Sequence, residues 1–189
     1  MKNIKITEKG RHFVTGPFVS HASFIGLRAY SLARDSIVRG CIECLVVDKR
    51  RKLILLGKRN IEPWPQWWSF GSRMVVGESP EQTCARTVKI DLGINADIKR
   101  FIFLDVFSLA FARRQELPKK NGCHDLSVFH LVSLSQKEIS ALQFRKTEYR
   151  AIKWFSVKDI LGGGPKFHPA TKRIIKEAIK RRLISSDYV

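Results

Sequence analysis

The segment from Ser79 to Gly93 constrains the fold more than any other stretch of this 189-residue chain. Ser79 can cap a helix, Pro80 suits the first helical position, and Gln82 stands three residues after the cap, as in a capping box. Gly93 supplies a left-handed stop. The spacing predicts a helix over 79–92. An extended run precedes it, beginning at 67–70 and continuing toward Gly77. A strand, a loop and a capped helix in that order belong to a layered α/β or α+β fold.

The rest of the chain agrees with that class. The β-branched, apolar run 37–47 reads as a strand, and 53–56 as its partner across the basic turn Lys49-Arg50-Arg51-Lys52. Residues 60–66, with Pro63 and Pro65, read as a loop. Segments 99–111 and 126–134 read as strands of a long hairpin, and 152–155 as a short strand. A helical turn starts at Ser156, Gly162-Gly163-Gly164-Pro165 breaks it, and a last helix begins near Pro169. Residues 1–36 read as an N-terminal arm with a short helix over 24–33. Residues 37–189 form the main domain, which ends in a basic helix.

Charge narrows the partners. Lysine and arginine number 35 against 17 acids, a formal charge of +18 that attracts anions. The cations gather at 49–52, in the polar stretch 113–122, and on the face of the last helix opposite Ile174, Ile175, Ala178 and Ile179. No aromatic residue interleaves with that last run, and no helix-turn-helix or RNP pattern is visible. The longest apolar stretch, 101–112, is interrupted by Asp105 and falls short of the roughly 20 residues a membrane span needs. The start lacks the apolar core of a secretory leader, so a cytoplasmic protein is expected. Cys41 and Cys44 are three apart on a strand, which points them to opposite faces; buried thiols in a reducing compartment are expected rather than a metal site.

The window Gly71, Glu78, Arg86, Asp91, Gly93 and Ile94 resembles the Nudix box, a strand–loop–helix that holds a divalent cation. Ser72 stands where the box has its second glycine, and Thr87 and Ile90 replace two of its three helix carboxylates. Upstream, Leu55-Leu56-Gly57-Lys58-Arg59, Pro63, Trp67 and Arg73 resemble the branch that includes GDP-mannose mannosyl hydrolases, which lacks the same two carboxylates. The resemblance implies an α/β/α sandwich with a mixed sheet. It implies a Mg²⁺-dependent (or Mn²⁺-dependent) hydrolase of a nucleotide-sugar or another nucleoside diphosphate derivative. One cation would be held by the Gly71 carbonyl, Asp91 and Glu148. Glu78 and Arg86 would brace the loop, and Arg59 and Arg73 would grip the diphosphate.

The resemblance also marks the catalytic base. Its usual histidine is Tyr149 here, a poor base at pH 7 with an ordinary pKa of about 10. Glu148 and His124 are the other candidates for that role. The rival reading is a Nudix-fold module that binds a nucleotide ligand or RNA without turnover; Ser72, Thr87, Ile90, Tyr149 and the charge favour it. The expected partners are a nucleoside diphosphate-linked small molecule and, through the basic surface, nucleic acid. A homodimer stays open, and no membrane partner is expected.

Overall fold

A computed structural model describes residues 6–9 and 12–184. The arm begins with an antiparallel pair, β1 (Ile6–Lys9) and β2 (His12–Thr15), followed by helix α1 (Leu27–Ser36). The pair went unread in the sequence because His12, Gly16 and Pro17 obscure any alternation there. The main domain contributes β3 (Arg39–Asp48), β4 (Leu53–Arg59), β5 (Trp67–Trp68) and β6 (Phe70–Arg73), then helix α2 (Pro80–Leu92). The long strands β7 (Ile102–Phe111) and β8 (Cys123–Ser133) follow. A short helix α3 (Gln136–Ser140), strand β9 (Tyr149–Phe155), and helices α4 (Val157–Gly162) and α5 (Pro169–Lys180) complete it. α3 escaped the sequence reading because one helical turn is too short to show a 3.6-residue period. Lys99 and Arg100, expected at the start of a strand, lie instead in a 3₁₀ turn (Ile98–Arg100) capped by the Asp97 carboxylate.

The strands make one mixed sheet in the order β5-β4-β3-β8-β7, with β6 also on β3 and β9 also on β4. Only β3 and β8 run parallel among the described pairs. Alternation along β3 sorts its side chains into two layers. Ile42, Cys44 and Val46 join Val88 and Leu92 of α2 in one core cluster. Leu45 and Val47 join Ile160 of α4 and Ile174, Ile175 and Ala178 of α5 in the other. Helices therefore cover both faces, and the fold is an α/β/α sandwich.

The sheet forks. β3 pairs β4 only where Val46, Val47 and Asp48 meet Leu55, Ile54 and Leu53. Farther along, β3 turns to β6, while β4 pairs β5 and β9. The gap between the branches lets side chains from the two faces meet. Tyr149 fills part of it: a Cβ on Gly57 would overlap the Tyr149 ring, so β4 needs a glycine at that point.

Candidate active site

A cavity of about 400 Å³ opens at the fork. Its floor comes from β3 and β8: Glu43, Arg39, Asp125 and Ser127 line it. Arg59 and Arg73 enter from β4 and β6, and Arg145 and Glu148 from the segment before β9. Trp64, Trp68, Phe111 and Tyr30 supply aromatic wall.

Glu43 is the group that sequence reasoning missed. It lies between Cys41 and Cys44 in the sequence, and a carboxyl inside a β-branched run announces nothing until its surroundings are known. Trp68 Nε1 donates to Glu43 Oε2 at 2.8 Å, and Ser69 Oγ donates to the same oxygen at 2.7 Å. Burial pushes the carboxyl up to about 7, against those two bonds, which favour the charged form. A proton acceptor poised near neutrality therefore lies at the cavity floor.

Gly71 stands directly across from Glu43 in the β3–β6 register. Gly71 lies in the extended strand β6, within the extended run expected from 67–70 toward Gly77. Its lack of a side chain serves Glu43, because a Cβ there would fall on the carboxylate. Met74 N donates to Gly40 O at 3.0 Å, which makes Gly40–Met74 a hydrogen-bonded pair. By alternation, Glu43–Gly71 is a non-hydrogen-bonded pair, so the Gly71 carbonyl points away from β3.

Asp91 comes from α2 and reaches the fork from the opposite face. It is buried, and Tyr149 Oη donates to Asp91 Oδ2 at 2.9 Å. Burial raises the Asp91 carboxyl to about 6, with the Tyr149 and Arg145 contacts opposing. Tyr149 is itself buried; burial, then the neighbouring Asp91, push its phenol well above the ordinary value. That makes it a worse base than its residue type implied, and its proton is committed to Asp91. Its hydroxyl holds the Asp91 carboxylate in place.

Glu148 is clamped by two arginines, with Arg59 Nη2 at 2.8 Å and Arg145 Nη2 at 2.9 Å. Arg145 Nε also approaches Asp91 Oδ1 at 3.5 Å. One half-exposed guanidinium thus bridges the two carboxylates expected to share a cation. This stand-in positive charge is the observation on which a divalent ion fits: two acidic side chains from different elements converge on one cationic position. No group of three or more His, Cys, Asp or Glu side chains has metal-holding geometry among the described residues, so any such site depends on the Gly71 carbonyl or on the ligand's own oxygens.

The remaining box residues form a brace. Arg86 Nε and Nη2 bind the Glu78 carboxylate at 2.6 and 2.8 Å, and Nη2 also donates to Arg73 O at 3.0 Å. Val75 N and Thr83 Oγ1 complete the carboxylate's partners. Burial pushes Glu78 up, but the Arg86 and Thr83 bonds outweigh it and leave the carboxyl below its ordinary value. Gly93 ends α2 at φ 72°. Two of the three departures from the box, Ser72 and Thr87, answer each other. Ser72 Oγ and Thr87 Oγ1 lie 2.6 Å apart, and Thr87 Oγ1 donates to Thr83 O. A neutral hydrogen bond thus joins β6 to α2 where a glycine and a carboxylate would otherwise face each other.

Of the remaining candidates, Arg73 is the freer cation. It has no carboxylate partner among the described residues, and its guanidinium stacks 4.8 Å from the Tyr30 ring and 5.5 Å from the Phe24 ring. Arg59 already holds Glu148. His124 is not brought to the site. It is exposed on β8, bonds Ser108 at 2.7 Å, and is not among the residues lining the cavity. Its neighbour Asp125 turns inward instead and pairs bidentately with Arg39, at 3.0 and 2.8 Å. The four cysteines are buried free thiols.

The NUDIX domain family matches residues 39–178. Among solved structures, a MutT NUDIX hydrolase from Burkholderia pseudomallei superposes with a TM-score of 0.60 at 22% identity, covering 75% of this chain and 98% of that one. The NUDIX domain of Shewanella oneidensis NrtR, complexed with ADP ribose, gives 0.59 at 16% identity over 84% of this chain and 99% of that one. A bifunctional NMN adenylyltransferase/ADP ribose pyrophosphatase from Francisella tularensis, complexed with AMP and a Mn ion, gives 0.58 at 15% identity over 82% and 44%. At these identities the likeness is one of fold. No curated protein matches the chain.

Proposed function

The chain belongs to the NUDIX domain family, and from that premise we propose that it hydrolyses a nucleoside diphosphate derivative, of the nucleotide-sugar class, with Mg²⁺ or Mn²⁺. The observation that carries the reading is the buried Glu43 carboxyl, held by Trp68 and Ser69 at the floor of an arginine-lined cavity. A hydrolase needs a proton acceptor near the operating pH, and the buried Glu43 carboxyl supplies one at the cavity.

In the proposed step Glu43 takes a proton from water as the water oxygen bonds to the sugar carbon. The bond between that carbon and the diphosphate oxygen breaks, and its electron pair leaves with the nucleoside diphosphate. Arg73 offers an unpaired fork of donors to the departing charge, and Arg59 lies beside it. Asp91, Glu148 and the Gly71 carbonyl would hold a divalent cation, which neutralises the leaving diphosphate when bound. Tyr149 holds the other Asp91 oxygen, Oδ2, and so orients the carboxylate whose Oδ1 faces Arg145. Tyr30, Trp64 and Trp68 give flat surface for a base or sugar.

The second reading is a module that binds such a ligand without turnover, favoured by the neutral Ser72–Thr87 bond in place of a carboxylate. Incubating the protein with Mg²⁺ and a set of nucleotide sugars, and separating the products, decides between them. Hydrolysis at carbon yields free sugar and nucleoside diphosphate. Attack at phosphorus yields sugar phosphate and nucleoside monophosphate. Saturable binding with neither product supports the module.

A further inference from the structure

A second cavity, of about 580 Å³, lies against the start of α5. Lys172, Arg173 and Lys176 line it, with Trp64 and Phe167, and no acid is among its lining residues. Lys172 and Lys176 are one helical turn apart, so their side chains rise from the same face. A third cavity follows, lined by Lys153, Lys158 and Lys166. Its one lining acid, Asp159, is occupied in the capping box of α4. Gly163 lines the third cavity and Gly164 the second, so the two adjoin along the chain. Trp64 lines the second cavity and the active-site cavity alike. A strip of six cations therefore runs away from the candidate active site, with an indole at the junction.

We propose that this strip binds single-stranded nucleic acid, with its terminal nucleotide in the active-site cavity. The last clause rests on the function proposed above; the strip itself does not. Three observations select this occupant. The cations are spread over two cavities beyond the active-site cavity, three in each, as a chain of phosphates would need. Trp64 stands where a base would leave the strip, and any base can stack on an indole. The Trp64 indole N–H is buried and has no acceptor among the described residues, a donor that a ligand oxygen would satisfy. The sequence hid this arrangement, because Trp64 lies far from the basic run in the chain and is brought to it by the fold, with an edge contact to His168, the N-cap of α5, at 4.9 Å.

The test is fluorescence anisotropy with a short labelled oligouridylate across a salt series, on the full chain. Each phosphate neutralised steepens the log K against log salt slope by about 0.7. The triple variant K172Q/R173Q/K176Q should bind the oligonucleotide at least tenfold more weakly at low salt, with a slope shallower by about 2. The milder pair R173Q/K176Q, both exposed, guards against misfolding and should lose about 1.4. Tryptophan fluorescence should be quenched by the oligonucleotide more in the wild type than in Trp64→Phe. ADP binding in the active-site cavity, measured separately, should be the same in the wild type and the two charge variants. Unchanged oligonucleotide binding and slope in the variants would overturn the strip, as would oligoglutamate of equal length binding the wild type as tightly. Loss of the slope in the variants, together with no ADP binding in any protein, would leave the strip standing and sink the proposed function.

Discussion

Gly71 faces Glu43 across the β3–β6 pair, and the missing glycine side chain is the space that the buried carboxyl occupies. The glycine that marks the box in the sequence is thereby tied to an acid 28 positions earlier that the box does not mention (71 − 43 = 28). Gly71→Ala should destabilise the protein by about 1–3 kcal/mol, as overpacking does, and displace Glu43 from Trp68 and Ser69. Denaturant midpoints and turnover should fall together.

Glu43→Gln separates the two roles of that residue. A glutamine carbonyl can still accept from Trp68 Nε1 and Ser69 Oγ, so the melting temperature should stay within a few degrees of wild type. The proton acceptor is gone, and kcat should drop by about 10²–10⁴. A variant that keeps wild-type kcat removes Glu43 from the mechanism.

Tyr149→Phe deletes the donor to Asp91 and leaves the ring that packs against Phe70 at 5.2 Å. Losing a bond that orients a ligand weakens metal affinity by about 10–100-fold. Mn²⁺ binding followed by electron paramagnetic resonance should show that loss, with the fold intact by circular dichroism. Unchanged Mn²⁺ affinity would show that Asp91 is not oriented by the phenol.

Acid stability should report on the link between α3 and the 3₁₀ turn before β7. Arg100 donates to Glu138 at 2.6 and 2.9 Å, and its bond comes first among the causes that lower this carboxyl from 4.5 to about 2. A folded value below the unfolded one contributes stability that is complete above about pH 4.5 and lost as pH falls through about 2. Both partners are partly exposed, so the contribution is modest. Glu138→Gln should lower the melting temperature at pH 6 and match wild type near pH 2. A constant difference across that range would assign the loss to the capping box with Ser135 rather than to the ion pair.

The sequence was most legible where structure is local. Ser79, Pro80, Gln82 and Gly93 act within α2 itself, and their spacing was enough to place that helix. Glu78 and Arg86 were legible because one loop and one helix turn bring them together. Groups joined by the fork were not. Glu43 depends on β3, β5 and β6 at once, and Arg145 gains meaning only where α2 and the segment before β9 converge. The arm is the clearest case. Its helix α1 is fixed by Arg114, fully buried, which bonds Asp35 and Ser31 at 2.7 Å each. Arg114 read as one more loop cation, because a sequence does not show which arginine of a basic loop turns inward.

The most direct test pairs Asp91→Asn with wild type in two measurements on the same samples: Mn²⁺ affinity, and release of nucleoside diphosphate from a nucleotide sugar that the wild type turns over. Asp91→Asn should fold, bind Mn²⁺ at least tenfold more weakly and lose turnover in proportion. Wild-type Mn²⁺ affinity together with wild-type kcat in Asp91→Asn would contradict a cation held at Asp91.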